Sequence, residues 1–343
     1  MAQKLTPARL VAAGLFLLLV LVVVLYLLPS DSDYVFLPDR AHALAPLVKI
    51  PGERRPTDGG GIYFVDVRFR KARLLEQLFP GLAGSGATVV PVEDVRARGV
   101  SESQQHRQDL HDMAISQRIG AAVALKRLGY PVRERPTGIL VEGFVAKTVP
   151  AARVLRLGDK IIAVDRRSAV SFAQLRRIVG RHRPGDRIHV RYLRDGKVRQ
   201  ATVMTVADPE HPTRTLIGIA GEPTVDITLP IRVRIDTRGV GGPSAGLAFA
   251  LDLMEELGRD VDRGYRVAAT GALGLDGSVG KIGAIKQKTI GAREARVDVF
   301  LVPKGNAAEA RKFAHGLRVI PVEDFPQALH ALATLPPKSR QGA

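Results

Sequence analysis

Between Leu10 and Leu28 the chain carries no charged side chain and consists almost entirely of Leu, Val and Ala. As a helix, nineteen such residues reach across the hydrocarbon core of a bilayer. Lys4 and Arg9 precede the run and Asp31 and Asp33 follow it. That asymmetry predicts a cytoplasmic N-terminus, with everything after residue 28 outside. The nearby A-x-A pattern, Ala43-Leu44-Ala45, stands about fifteen residues past the run, too far for a usual signal-peptide cleavage site. The run is therefore expected to be a retained anchor in a single-pass membrane protein.

The 343 residues leave room for two or three domains beyond the anchor, and 45% hydrophobic residues suffice for packed cores. An excess of 51 Lys+Arg over 34 Asp+Glu, net +17, suits an acidic partner or an anionic cell surface. The basic residues are interspersed with acidic ones and aromatics make up only 5%, so nucleic-acid binding is not expected. Absence of cysteine excludes disulfides, cysteine nucleophiles and thiolate metal sites. No metal site or cofactor is expected.

Residues 47–69 read as a hairpin, "LVKI" and the alternating "IYFVDVRF" flanking a turn-rich "PGERRPTDGGG". A helix is expected over residues 102–128, polar at first and apolar later. "GILVEGFV" reads as a strand, "SFAQLRRIVG" as a short helix and "DRIHVRYLRDGKVRQATVMTV" as a hairpin turning at Asp195-Gly196. "DPEHPTRT" reads as a linker.

Residues 138–179, "GILVEGFVAKTVPAARVLRLGDKIIAVDRRSAVSFAQLRRIV", resemble a PDZ domain. The likeness rests on Leu157-Gly158-Asp159-Lys160-Ile161-Ile162 and on Phe172, Leu175 and Val179 of the groove helix. It implies a partly open β-barrel with helices that binds extended peptides, often C-termini, by strand addition. Leu128-Gly129-Tyr130 is the candidate loop for the peptide carboxylate.

Residues 225–235 alternate between apolar and polar, as a strand with one covered face does, and lead into "GVGGPSAGLAFAL", residues 239–251. Here Ser244 has two readings. It is part of an ordinary helix start, or it is a nucleophile placed where unpaired backbone N–H groups gather. A second glycine-rich piece, residues 270–295, lacks G-x-x-x-x-G-K-[ST], which argues against an ATP site. On the helix that follows, Ile285, Lys288, Ala292 and Ala295 share one stripe, and Lys286 points elsewhere. A lysine on a packing face either snorkels or, when desolvated, becomes a neutral amine able to take a proton from a serine.

From residue 225 to about residue 334 the chain resembles the proteolytic domain of Lon-type serine proteases. The likeness runs through Gly242-Pro243-Ser244-Ala245-Gly246, Thr270-Gly271, Ile282-Gly283-Ala284-Ile285-Lys286-Gln287-Lys288 and "DVFLVP". It implies a Ser244–Lys288 dyad, Thr270 orienting the lysine through its hydroxyl, and backbone at Gly242, Pro243 and Ser244 receiving the oxyanion. It also implies assembly as a homo-oligomeric ring. Gly241 stands where the Lon pattern usually has an acidic residue. A rival reading makes Ser244 the elbow of a triad with Asp298 and His315 or His330, and a third makes the chain a non-catalytic PDZ adaptor.

The expected whole is an α/β and α+β multidomain chain: anchor 1–30, extracytoplasmic N-terminal region 31–120, PDZ domain 121–206, Lon-like α+β proteolytic domain 207–336 and tail 337–343. It resembles bacterial PDZ-containing Lon-like proteases, with unfolded or exported proteins as the implied substrates.

Overall fold

Strand Val299–Pro303 is buried at every position, as a parallel strand covered on both faces must be. The computed structural model describes residues 7–50, 59–96, 100–146, 148–336 and 338. Val299–Pro303 lies in a five-stranded sheet ordered His42–Ala43, Gly61–Phe64, Arg266–Ala269, Val299–Pro303, Arg318–Val322. All neighbours are parallel except the first pair. On one face lies helix Gly246–Glu256, with Phe249 and Phe64 6.4 Å apart between ring centroids. Ala268, Phe300 and Val302 turn the other way and pack with Ile285 and Ala292 of helix Ile285–Glu294 and Ala307 and Ala310 of helix Ala307–Ala314.

Two of these five strands come from the N-terminal region. Met1–Pro131 and Leu229–Ala343 accordingly form one compact unit and Val132–Thr228 a second. The first unit also holds a small sheet in which Pro29–Pro38 is flanked by Val67–Arg73 and Thr88–Pro91. Its long helix Glu102–Arg127 opens on a capping box between Ser101 and Gln104 and buries residues 120–125. The N-terminal helix Pro7–Leu27 buries none of its side chains, and is long and apolar enough to cross a membrane.

In the second unit the strand order is Lys197–Met204, Arg187–Arg194, Lys160–Val164, Arg133–Phe144, Ile219–Thr228. Helix Phe172–Val179 adds Leu175, Ile178 and Val179 to its core. Asp159 is almost fully buried and is held by Arg194 Nε and Nη2 at 2.7 Å and by the Arg156 N–H at 2.8 Å. The hairpin turns at Asp195 and Gly196, both with positive φ.

Three expectations change. Val48–Lys49 pairs with Arg234–Ile235, so the two arms of the expected 47–69 hairpin join different partners; its turn, residues 51–58, lies outside the described residues. The alternating 225–235 segment is split between the units. Val225 and Ile227 pair with residues 133–144, whereas residues from Leu229 onward belong to the first unit. The expected linker at 208–215 is a turn closed by pairing of Val206–Ala207 with Thr215–Leu216. Alternation marks extended backbone with one covered face; it does not say what covers it. The second compact unit therefore runs from 132 to 228, where the sequence division had 121 to 206. The boundary at 120/121 falls inside helix Glu102–Arg127.

Candidate active site

Helix Gly246–Glu256 starts after Ala245, with no side-chain cap. Ser244 is thus not the cap of a buried helix. Its hydroxyl meets Lys288 instead: Lys288 Nζ donates to Ser244 Oγ at 2.7 Å. The approach to Ser244 is tightly curved, with positive φ at Arg238, Gly239 and Gly242, which accounts for two of its glycines.

Contacts from both sides hold this loop. Gly242 N–H donates to the Asp109 carbonyl at 2.7 Å, and Ser116 Oγ donates to the Pro243 carbonyl at 3.0 Å. Behind Ser244, its own carbonyl accepts from Gly271 N–H at 2.8 Å and from Thr270 Oγ1 at 3.1 Å. Thr270 Oγ1 therefore meets the Ser244 backbone, where a contact with the lysine was expected. Of the expected oxyanion group, Gly242 N–H is committed to Asp109 and Pro243 has no N–H. The N–H of Ser244 meets no acceptor among the described residues.

Lys288 lies on helix Ile285–Glu294 and is 5% exposed. Burial pulls its ammonium from the ordinary 10.5 down to about 8, and the Asp66 carboxylate opposes part of that fall. Lys286 points away, its Nζ donating to the Ala87 carbonyl at 3.0 Å and to Thr88 Oγ1 at 3.2 Å. Gln287 Nε2 donates to the Gly86 carbonyl and to Thr88 Oγ1. The N-terminal region thus grips the helix that carries Lys288. Asn306 clamps the preceding turn, accepting from Ile282 N–H and donating to its carbonyl, each at 3.0 Å.

In front of the dyad opens a cavity of 660 Å³, lined by Ser244, Lys288, Asp66, Phe69, Asp109 and Arg238 among others. A further cavity of 260 Å³ lies beside it and shares Phe69, Arg70, His106 and Asp109 in its lining. Asp66, Phe69, Asp109 and Ser116 escaped the sequence reading. The one signal was Asp66 itself, a carboxylate closing the apolar run "IYFV".

Other expected residues fall elsewhere. Leu128, Gly129 and Tyr130 end helix Glu102–Arg127 in the first unit, and their N–H groups return to Ala124, Lys126 and Leu125 carbonyls. That is a glycine-based helix stop, and it leaves no N–H free for a carboxylate. Phe172 and Leu175 lie on the helix of the second unit, Leu175 buried and Phe172 partly so. The Asp298 carboxylate of the rival triad accepts from Arg266 N–H and Lys338 Nζ.

A serine hydroxyl paired with a buried amine at the mouth of an open cleft is the apparatus of a serine-type peptidase. Residues 229–334 match the family described as Lon protease (S16) C-terminal proteolytic domain, and residues 106–205 match the PDZ domain family. Lon protease 1 of Myxococcus xanthus is 38% identical over 86 residues, 24% of this chain and 10% of that protein. The Lon protease of Chloroflexus aggregans is 37% identical over 100 residues, 27% of this chain and 12% of that protein. This chain thus spans about a tenth of the length of these curated relatives. Among solved structures, the PDZ domain of an SdrC-like protein from Listeria monocytogenes is 28% identical, covering 24% of this chain and 86% of that one with a TM-score of 0.23. The chain carries a PDZ domain and a Lon-type proteolytic domain, and the latter is of the serine-type peptidase class.

Proposed function

We propose that this protein is a membrane-anchored serine endopeptidase that works through Ser244 and Lys288, without ATP, on unfolded or locally exposed segments of exported proteins. The observation that carries the reading is the 2.7 Å contact between Ser244 Oγ and a buried Lys288 Nζ beside an open cleft. Ser244 Oγ attacks the substrate carbonyl carbon while neutral Lys288 takes the hydroxyl proton. The tetrahedral oxyanion is received by the N–H of Ser244. Lys288 passes its proton to the departing amine, leaving an acyl-enzyme. It then takes a proton from water as the hydroxide adds to the acyl carbon, and returns that proton to Ser244 Oγ as the Oγ–carbon bond breaks, which releases the acid and restores the neutral amine.

Turnover without ATP is supported by the absence of G-x-x-x-x-G-K-[ST] from these 343 residues. The helix Pro7–Leu27, with Lys4 before it, Arg9 in its first turn and Asp31 and Asp33 after it, supports a single-pass anchor with the catalytic domain outside the cytoplasm. The PDZ domain supports recognition of protein or peptide partners, C-termini included. Assembly as a homo-oligomeric ring is proposed from the Lon likeness.

The test uses residues 31–343 as wild type, Ser244→Ala and Lys288→Ala, incubated with casein with and without ATP. Fragments from wild type alone, at a rate indifferent to ATP, are expected. Equal inertness of all three would move the reading to a PDZ adaptor, and equal cutting would place the activity outside the dyad.

A further inference from the structure

Strands Gly61–Phe64 and Arg266–Ala269 are parallel, with Phe64 opposite Ala269. Residues just past both strands therefore emerge at the same end of the sheet, where α/β folds gather their chemistry. One strand leads to Thr270, which holds the Ser244 carbonyl. The other leads to Asp66, which lines the cavity with Ser244 and Lys288. Gly241 leaves the nucleophile loop without the carboxylate that the Lon pattern carries there, and Asp66 brings one to the cleft from the N-terminal region.

Asp66 Oδ1 is enclosed and makes no hydrogen bond, with His42 Nε2 3.3 Å away. A buried carboxylate left this way is costly unless a positive charge is near. We propose that Asp66 is a positioning residue for Lys288, its carboxylate stabilising the ammonium formed each time Lys288 takes a proton from Ser244 or water. The proposal rests on the Ser244–Lys288 reading and deepens it. A buried amine must become charged in the transition state, and a fixed carboxylate costs no reorganisation at that moment.

The charged surroundings are consistent with this role. Burial raises the Asp66 pKa, His42 of the N-terminal region and Lys288 of its helix oppose that rise, and Asp39, just past strand Pro29–Pro38, adds to it. Around the rest of the cavity, Arg68 reaches Asp39 at 3.4 Å and Arg70 is paired with Glu76. His106 and Asp109 lie on the long helix and Arg238 in the nucleophile loop; Asp109 Oδ1 is taken up by Gln105. Asp66 lines the same cavity as Lys288, and its charge opposes the fall in the Lys288 pKa that burial causes.

The experiment is a pH profile of peptide cleavage by the full chain in detergent as wild type, Asp66→Asn and Asp66→Glu, with thermal unfolding as a control. For Asp66→Asn the ascending limb of the profile should move about one pH unit lower, because loss of an opposite charge makes the amine less basic. Plateau kcat should fall about tenfold, with KM within about twofold, and Asp66→Glu should recover both limb and plateau. An unmoved midpoint in a folded Asp66→Asn protein overturns the proposal, even if kcat falls. In parallel, the Lys288 13Cε resonance, assigned with Lys288→Arg, is titrated in both proteins without substrate. A shift there with no cleavage by wild type would keep the electrostatic link and reject the peptidase reading; cleavage by wild type with no shift would do the reverse.

Discussion

Gly241 and Asp109 are packed so closely that a Cβ on Gly241 would lie 2.6 Å from the Cβ of Asp109 and 3.0 Å from its carbonyl carbon. The helix Glu102–Arg127 and the nucleophile loop meet there, backbone against backbone, one residue before the Gly242-to-Asp109 hydrogen bond. Gly241→Ala must push the loop away from the helix and move Ser244 with it. Cleavage should fall on the order of a hundredfold, since small misplacements of a nucleophile are that costly. Stability should fall by only about 1–3 kcal/mol. Matched kinetics and urea unfolding check both; unchanged kcat in the folded variant would show that the loop tolerates the shift.

Lys288 makes both activity and stability depend on pH. Only the neutral amine is a base, so kcat/KM should rise with pH and reach half its plateau near 8. The folded protein gives up the lysine proton near 8 and the unfolded chain near 10.5, so between these values the unfolded state binds more protons and stability rises with pH. Below pH 8 the buried charge costs about 3 kcal/mol, and Lys288→Met should recover it there while abolishing cleavage. Urea titrations of both proteins from pH 6 to about 10 should show the gap between them narrowing.

Glu255 works in the opposite direction. Burial, helped by Asp262, raises its carboxyl from 4.5 to about 8, while its Oε1 accepts from the N–H groups of Val261 and Asp262. The folded state here binds the extra proton, so this group's contribution to stability is lost as pH rises from 4.5 through 8. Glu255→Gln keeps an acceptor for those N–H groups and should be the more stable protein at pH 9. A wild type as stable as the variant at pH 9 would contradict the raised value.

Thr270 touches the Ser244 carbonyl, which Gly271 N–H also holds. Thr270→Val should therefore lower kcat by a few-fold to about tenfold, the worth of one modest hydrogen bond, and leave the pH midpoint where Lys288 sets it. A shifted midpoint would mean that the hydroxyl acts on the lysine after all.

Residues 132–228 should fold alone, because their core is drawn from their own strands and helix. A fragment of residues 121–206 lacks strand Ile219–Thr228, which pairs with Arg133–Phe144 along its length. Its midpoint in urea should be lower than that of 132–228, or its transition lost.

Much of this protein was legible in short range. Nineteen uncharged apolar residues are a helix that buries nothing in the protein itself, and the Lys288 stripe could be read because helical spacing alone decides which side chains share a face. The same spacing separated Lys288 from Lys286, which the structure sends to Ala87 and Thr88. The glycines before Ser244 read as a tight turn, and two of them have the positive φ that such a turn needs.

What the sequence by itself determined is what short-range spacing fixes: the apolar N-terminal helix, the tight turn before Ser244 and the helix face that Lys288 shares with Ile285 and Ala292. Only the tertiary structure decided what those elements lie against. Residues 47–69 look like a hairpin until Val48–Lys49 is found beside Arg234–Ile235. Residues 225–235 look like one strand until they divide between two units. Asp109 and Ser116 have no local mark of function and Asp66 only its place after an apolar run; they come beside the Ser244 loop and its cavity because N-terminal strands and a helix complete the sheet and core of the C-terminal segment. Periodicity reports that a face is covered; which distant segment covers it is settled by the sum of many weak packing contacts across the chain.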